Sequence, residues 1–400
     1  MVELKTMREI RARNSVLPFT EERQRAGRCH APSLKAWKQQ GKKIIGFQCT
    51  YVPEEVIHAA GMLPVRITGD SRELDLSEAN SYMYHNCCSF VRSCAELILN
   101  GHYNFLDGLV VGATCDPTRR LADVVLNYQL VPFACTVTVP RTYSEHAQQL
   151  FLEEVLDLVA ALEEHFGVKV TDDALRESVK VYNRTRELFR KLYELKKADP
   201  PALTGAETME IYDAMFKMTR EELNNLLERL IDELVATRRT VPGKIRLLIN
   251  GSPLNNAEFI KTIEDLGAVV VIDELCTGSR YWWESVEMTP GLSPIEAISR
   301  RYLNNQPCAR MMPSEKRFEV VQQMVKDYRV QGVVSQIIRY CVPYAHDQPL
   351  LRRLLEEQGT PVLELDVEYG MAGMGQIRTR AQAFLEMLEA EKAQLGRKGG

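Results

Sequence analysis

Residues 106–115 read Leu-Asp-Gly-Leu-Val-Val-Gly-Ala-Thr-Cys, a short β-branched apolar run that stops just before a cysteine. A run of this length and composition, bounded by glycine and a polar residue, reads as a strand. Runs of the same kind recur at Lys43 to Gln48 and Pro132 to Thr138, then at Lys244 to Asn250, Ala268 to Asp273, Gly332 to Ile338 and Pro361 to Asp366. Helical stretches separate them, and such alternation predicts parallel α/β sheet. The fold class is therefore α/β, with two similar Rossmann-like or flavodoxin-like parallel-sheet domains.

The first three runs end before residue 141 and the last four begin after residue 243, leaving a middle with few strand features. Residues 145–197 and 206–240 carry apolar residues at three-and-four spacing among many Glu, Lys and Arg, broken by Asp199-Pro200-Pro201. The expected layout is an N-terminal helical arm at 1–40, a first α/β domain at 41–143, a helical linking region at 144–242 and a second α/β domain at 243–400. Thr171-Asp172-Asp173 and Ser293-Pro294 with Glu296 mark helix starts. The basic and acidic arm is expected to be exposed.

Of 400 residues, 45% are hydrophobic and 26% charged, with a net charge of −4. Both signs are mixed, which fits a soluble globular protein and gives no basic stripe for nucleic acid. No apolar stretch is long enough to span a membrane, and the start, MVELKTMREIRARN, lacks the apolar core of a signal peptide. The cytoplasm is the expected compartment. Disulfides are rare there, so ten cysteines point toward metal binding.

In open α/β sheets, ligands bind beyond the carboxyl ends of the strands. Cys49, Cys115, Cys276 and Cys341 each follow a strand run, while Cys88 and Cys308 fall in loops, giving three cysteines per domain. Thiolates are soft ligands for iron–sulfur clusters or zinc, and the close C-x-x-C spacing of zinc ribbons is absent. Cys29, Cys94 and Cys135 read as small hydrophobes. Cys87 competes with Cys88, which is favoured because it stands before an apparent helix start, where the dipole suits a thiolate.

Several segments together resemble the D-component superfamily of 2-hydroxyacyl-CoA dehydratases and ATP-dependent benzoyl-CoA reductases. They are Cys49-Thr50-Tyr51-Val52-Pro53-Glu54-Glu55, Ala59-Ala60-Gly61-Met62-Leu63-Pro64-Val65-Arg66, Asp107-Gly108-Leu109-Val110 before Thr114-Cys115-Asp116, Asp273-Glu274-Leu275-Cys276-Thr277-Gly278, and Gly375-Gln376-Ile377-Arg378-Thr379-Arg380. The likeness runs over most of the chain. The six cysteines are most similar to the double-cubane branch, in which two cubanes joined by a sulfide form one [8Fe-9S] cofactor between the domains. Other members hold a single [4Fe-4S] cubane per subunit, and Trp282-Trp283 with the segment AAGMLPVRITG also resembles those CoA-ester enzymes.

The resemblance implies Cys49, Cys88, Cys115, Cys276, Cys308 and Cys341 as cluster ligands. It also implies a homodimer, or alternatively a heterodimer with a homologous subunit, that reduces a small-molecule substrate. No G-x-x-x-x-G-K-[ST] occurs in the chain, so any ATP would be bound by a partner, and the resemblance supplies one: an ATP-hydrolysing activator with its own [4Fe-4S] cluster. The competing functions are a dehydratase or benzoyl-CoA reductase subunit, and a non-catalytic electron-transfer subunit.

Glu55, one turn into the helix after Cys49, is the candidate catalytic proton donor, with a dipole-stabilising helix acid as the alternative. Glu54 is expected to be solvated. Arg119, Arg120 and Arg280 are expected either to hold an anion or cluster sulfur, or to form ordinary ion pairs. His346 and Asp347 are candidates for proton transfer or plain loop residues. The loop Gly370-Met371-Ala372-Gly373-Met374-Gly375 is a weak anion-site candidate.

Overall fold

The computed structural model describes residues 3–14, 32–71 and 74–398. Strands β1 (Ile44–Gln48), β2 (Leu63–Arg66), β3 (Gly108–Ala113) and β4 (Ala134–Thr138) pair in parallel in the order β2-β1-β3-β4. Strands β5 (Ile245–Gly251), β6 (Ala268–Glu274), β7 (Gly332–Ile338) and β8 (Val362–Val367) repeat that arrangement as β6-β5-β7-β8. Every residue of β1, β3, β5 and β6 is buried, as apolar strands covered on both faces require. The two-domain α/β fold expected from the alternating runs is the observed one.

One strand was not expected. Leu63-Pro64-Val65-Arg66 is only four residues long and holds a proline, which cannot donate to a ladder. It forms β2 because it lies at a sheet edge, pairing with β1 alone.

In the first half, α1 (Lys5–Asn14) and α2 (Pro32–Gln39) precede β1, and α3 (Glu54–Ala59) leads to β2. Between β2 and β3 lie α4 (Ala79–Tyr82) and α5 (Ser89–Leu99), and α6 (Asp116–Asn127) joins β3 to β4. The middle holds α7 (Glu145–Phe166), α8 (Asp172–Lys197), α9 (Gly205–Met215) and α10 (Arg220–Thr237). Ser144, Thr171, Thr204 and Thr219 cap them, each side-chain oxygen accepting from a backbone N–H three residues on. The second half carries α11 (Ala257–Glu264), α12 (Ser279–Trp282), α13 (Pro294–Asn304), α14 (Glu315–Asp327), α15 (Val342–Glu357) and α16 (Met374–Lys398). Ser293 and Glu296 form the capping box at the start of α13.

The middle helices belong to both cores. Leu188, Phe189, Leu192 and Tyr193 of α8 pack with β5 and β6, whereas its Leu175 and Val179 pack with Val56 and Ile57 of α3 and Ile298 of α13. Helix α13, late in sequence, thus covers the first half. The expectation of an exposed arm is corrected by Leu4, just before α1, and by Met7 and Ile10 of α1, which are buried in the core formed with α9 and α10. Burial of each contributes on the order of 2 kcal/mol. Cys29 lies outside the described residues. Among the described residues no helix is long and apolar enough to cross a membrane.

In each sheet the chain steps outward from the first strand and then returns to its other side. That reversal opens a crevice beyond the carboxyl ends of β1 and β3 in one half and of β5 and β7 in the other.

Candidate metal centre

The two crevices join in one cavity of about 410 Å³, lined by Cys49, Cys88, Cys115, Cys276, Cys308 and Cys341. Cys94 is buried within α5 and Cys135 lies in β4, both away from the cavity lining. Cys87 is buried beside Cys88 but does not line the cavity, and its carbonyl accepts from Arg92 Nε at 2.9 Å.

Each thiol is delivered by local structure. Cys88, Cys115 and Cys341 are the N-cap residues of α5, α6 and α15, so three helix N-termini point toward the cavity. At Cys115, Pro117 and Thr118 enforce the helix start, and Thr118 Oγ1 accepts from the Cys115 N–H at 3.1 Å. Cys49 turns out of β1 with φ of +88°, a left-handed backbone that costs a non-glycine residue about 1–2 kcal/mol. The adjoining strand makes room for it at Gly112, where a Cβ would lie 3.1 Å from the Cys49 Cβ. Cys276 sits in the turn between β6 and α12, and a Cβ on Gly278 there would collide with Asp273. Cys308 lies in the loop between α13 and α14.

Burial pushes the thiols of Cys49, Cys88 and Cys115 up from the ordinary cysteine value, and that of Cys341 up to about 12. Neighbouring thiols add to the rise. Cys49 is affected by Cys276 and Cys308, whereas Cys88 is affected by Cys341 and Cys115. The foremost neighbour of each therefore comes from the opposite half of the chain. Holding several thiolates in one buried space requires positive charge, as a metal centre provides.

Cationic and polar side chains complete the wall. Arg66, the last residue of β2, donates from Nη2 to Cys276 Sγ at 3.2 Å and from Nη1 to the Cys276 carbonyl at 2.6 Å. Thr50 Oγ1 donates to the same carbonyl at 2.9 Å. Arg310 donates to the carbonyls of Thr114, Pro140 and Val139 at 2.7–2.8 Å, tying the Cys308 loop to the first half. Gln48 Oε1, the Tyr51 hydroxyl, Arg66 Nε, and Arg280 Nε and Nη1 are buried without a partner among the described residues, and all belong to cavity-lining side chains. Buried polar atoms left in this state call for a ligand.

The other candidates divide. Arg119, Arg280, His346 and Asp347 line the cavity. Arg280 also pairs with Glu274 and donates to the Tyr344 hydroxyl at 2.9 Å, while Arg317 bridges Glu274 at 2.7 Å and Asp347 at 2.5 Å. Arg120 instead pairs with Asp123 at 2.7 Å on the surface. Glu55 lies outside the lining: its carboxylate accepts from Arg186 at 2.5 Å and from the Tyr302 hydroxyl at 2.6 Å, fully buried. Burial raises its carboxyl, but Arg186, Arg301 and these hydrogen bonds hold it below the ordinary carboxylate value. The expectation that Glu54 is solvated is corrected, because Glu54 is buried and paired with Arg220 at 2.5 Å. The loop from Gly370 to Gly375 does not line the cavity.

Arg66, Thr50, Tyr51 and Arg310 did not emerge as site residues from the sequence. Arg66 was hidden with its strand. Had Leu63–Arg66 been read as β2, its terminal arginine would have stood at a strand carboxyl end.

Among the described residues, no three His, Cys, Asp or Glu side chains are grouped closely enough to hold one metal ion. Residues 49–388 match the family described as 2-hydroxyglutaryl-CoA dehydratase, D-component. The putative dehydratase subunit YjiM of Escherichia coli K12 is 30% identical over 363 residues, covering 88% of this chain and 93% of that protein. A benzoyl-CoA reductase subunit of Thauera aromatica is 28% identical, covering 89% and 94%. The (R)-phenyllactyl-CoA dehydratase beta subunit of Clostridium sporogenes is 27% identical with the same coverage, 89% and 94%.

Proposed function

Since the chain belongs to the 2-hydroxyglutaryl-CoA dehydratase D-component family and is an enzyme component of the dehydratase and reductase type, we propose that it is an iron–sulfur reductase component. In this reading a double-cubane [8Fe-9S] cluster is held by Cys49, Cys88, Cys115, Cys276, Cys308 and Cys341. An ATP-hydrolysing activator with its own [4Fe-4S] cluster supplies low-potential electrons, and a homodimer acts on a small substrate. The observation that carries the reading is the convergence of six thiols, from both halves of the chain, on one cavity. Six sulfurs spread around about 410 Å³ suit a polynuclear centre better than a single tetrahedral zinc.

When bound, such a cluster supplies one-electron chemistry at low potential. The chain's own residues bind and shield. Arg66 and Arg280 face the cavity as buried cations that offset anionic sulfur, and Tyr51 offers a free hydroxyl to it. Arg119 and Arg141 stand exposed on the lining, where they can draw an anionic substrate toward the thiols. His346, exposed on the same lining, is placed to deliver a proton to bound substrate, whereas Asp347 is held by Arg317. We assign Glu55 to charge balance beneath α3 in preference to direct proton donation, because both carboxylate oxygens are engaged away from the cavity.

A second reading is favoured by the curated relatives: a subunit of a 2-hydroxyacyl-CoA dehydratase or benzoyl-CoA reductase, paired with a homologous subunit and holding one [4Fe-4S] cluster. Anaerobic iron and labile-sulfide analysis separates the two. About eight irons per chain supports the double cubane, and about four supports the single-cubane reading. Absence of iron after anaerobic reconstitution would sink both.

A further inference from the structure

Arg66 is 5% exposed and reaches from the end of β2 in the first half to Cys276 in the second. Its two terminal nitrogens grip one residue, Nη1 at the Cys276 carbonyl (2.6 Å) and Nη2 at the sulfur (3.2 Å). Nη1 also donates to Thr50 Oγ1 at 3.2 Å, which fixes the guanidinium next to Cys49. The guanidinium carbon lies 5.3 Å from the Phe216 ring centroid, so the arginine is clamped from behind. Its Nε has no partner among the described residues and belongs to a side chain on the cavity wall.

A buried arginine without a carboxylate partner would be a costly structural choice. Among the described residues no acidic side chain pairs with Arg66, and its contacts are a sulfur, a carbonyl and a hydroxyl. The natural counter-charge for such a cation is anionic sulfur. A fixed N–H donor and a full positive charge at a ligand sulfur favour the more negative, reduced state of a metal centre.

We propose that Arg66 is a positioning residue of the metal centre: its two-point contact fixes the Cys276 side chain at the cavity and raises the reduction potential of the cluster which that sulfur ligates. The proposal rests on the ligand reading above. Lysine would preserve the charge but not the two-point grip, because only the guanidinium presents a rigid fork.

The test uses the full-length chain, loaded with iron and sulfide anaerobically, with midpoint potentials read by EPR-monitored redox titration. Arg66→Gln is expected to keep its iron and to titrate at a more negative potential than the wild type, with Arg66→Lys between the two. Arg246→Gln, which removes a buried arginine held by backbone carbonyls away from the cavity, is expected to titrate like the wild type. A wild-type potential in Arg66→Gln overturns the proposal, as does an equal shift in Arg246→Gln, which would make the effect one of lost charge or general packing. If Arg66→Gln cannot retain iron, Arg66→Lys decides: a more negative midpoint supports the role and an unchanged one overturns it. Full iron content in Cys276→Ser would instead refute the ligand reading.

Discussion

The hydroxyl of Thr50 donates to the carbonyl of Cys276 at 2.9 Å, across 226 residues of chain. The contact sets Cys49 beside a cysteine of the other half. Similar ties lie next to the remaining first-half thiols: Arg310 Nε donates to the Thr114 carbonyl at 2.8 Å, and the Tyr369 N–H donates to Ser89 Oγ at 2.9 Å. The six thiols thus come together only when the halves are docked. Cys49→Ser and Cys276→Ser are expected to lose the same share of iron, and the double variant no more than either single one. Additive losses in iron analysis would show that the two thiols serve separate parts of the centre.

Cys88 lines the cavity and Cys87 does not. Cys87→Ser should therefore retain full iron, while Cys88→Ser loses about half or more of it. Equal losses in the two variants would contradict the assignment.

Gly112 is the neighbour that lets Cys49 enter the cavity, since an added Cβ would lie 3.1 Å from that of Cys49 and 3.3 Å from the Gln48 carbonyl oxygen. Gly112→Ala should fold, with an unchanged far-ultraviolet circular dichroism spectrum, and lose iron. Full iron content would show that Cys49 either tolerates displacement or is not a ligand.

Glu55 and Arg186 form a buried pair at 2.5 Å. Glu55→Gln removes the charge opposite Arg186 and should destabilise the fold by on the order of 3 kcal/mol in denaturant titration. The folded-state carboxyl is held below its ordinary value, so its contribution is complete above the unfolded carboxylate range and is lost as pH falls through the folded value. The stability gap between wild type and variant should accordingly narrow below about pH 4. A slowed turnover with unchanged stability would restore Glu55 as a catalytic candidate.

Lys196 is fully buried, donating to Thr208 Oγ1 at 2.8 Å, and burial pushes its ammonium down from 10.5 to about 8. Between those values the unfolded chain binds the extra proton, so folding gains stability as pH rises. Relative to Lys196→Met, the wild type should gain about 3 kcal/mol from pH 8 to 10.5. A constant difference across that window would show that the amine is not perturbed.

Much of the fold was legible because buried parallel strands announce themselves as short β-branched runs, and β1, β3, β5, β6 and β7 are of that kind. The edge strand β2 was not, since Pro64 contradicts strand propensity and only its edge position excuses it. The strand-end cysteines were legible for a topological reason: a strand's carboxyl end is where an open sheet presents its ligands. Which thiol neighbours which was not, because it depends on how the halves dock. The burial of Glu54 and Glu55 was hidden for the same reason. Their partners, Arg220 and Arg186, stand 166 and 131 residues away on the middle helices, and nothing local marks either acid as buried.

The positive φ of Cys49 has a consequence for how this chain can change over time. In the second half, the turn leaving the corresponding first strand is made by Gly251, at φ of +125°. Glycine is the residue that such a backbone favours, and at position 49 it would relieve strain. Selection for folding alone would therefore drift position 49 toward glycine and erase the thiol. Persistence of a cysteine there across diverged descendants of this chain would be a record of retained chemistry, and its replacement by glycine would mark the lineages that gave that chemistry up.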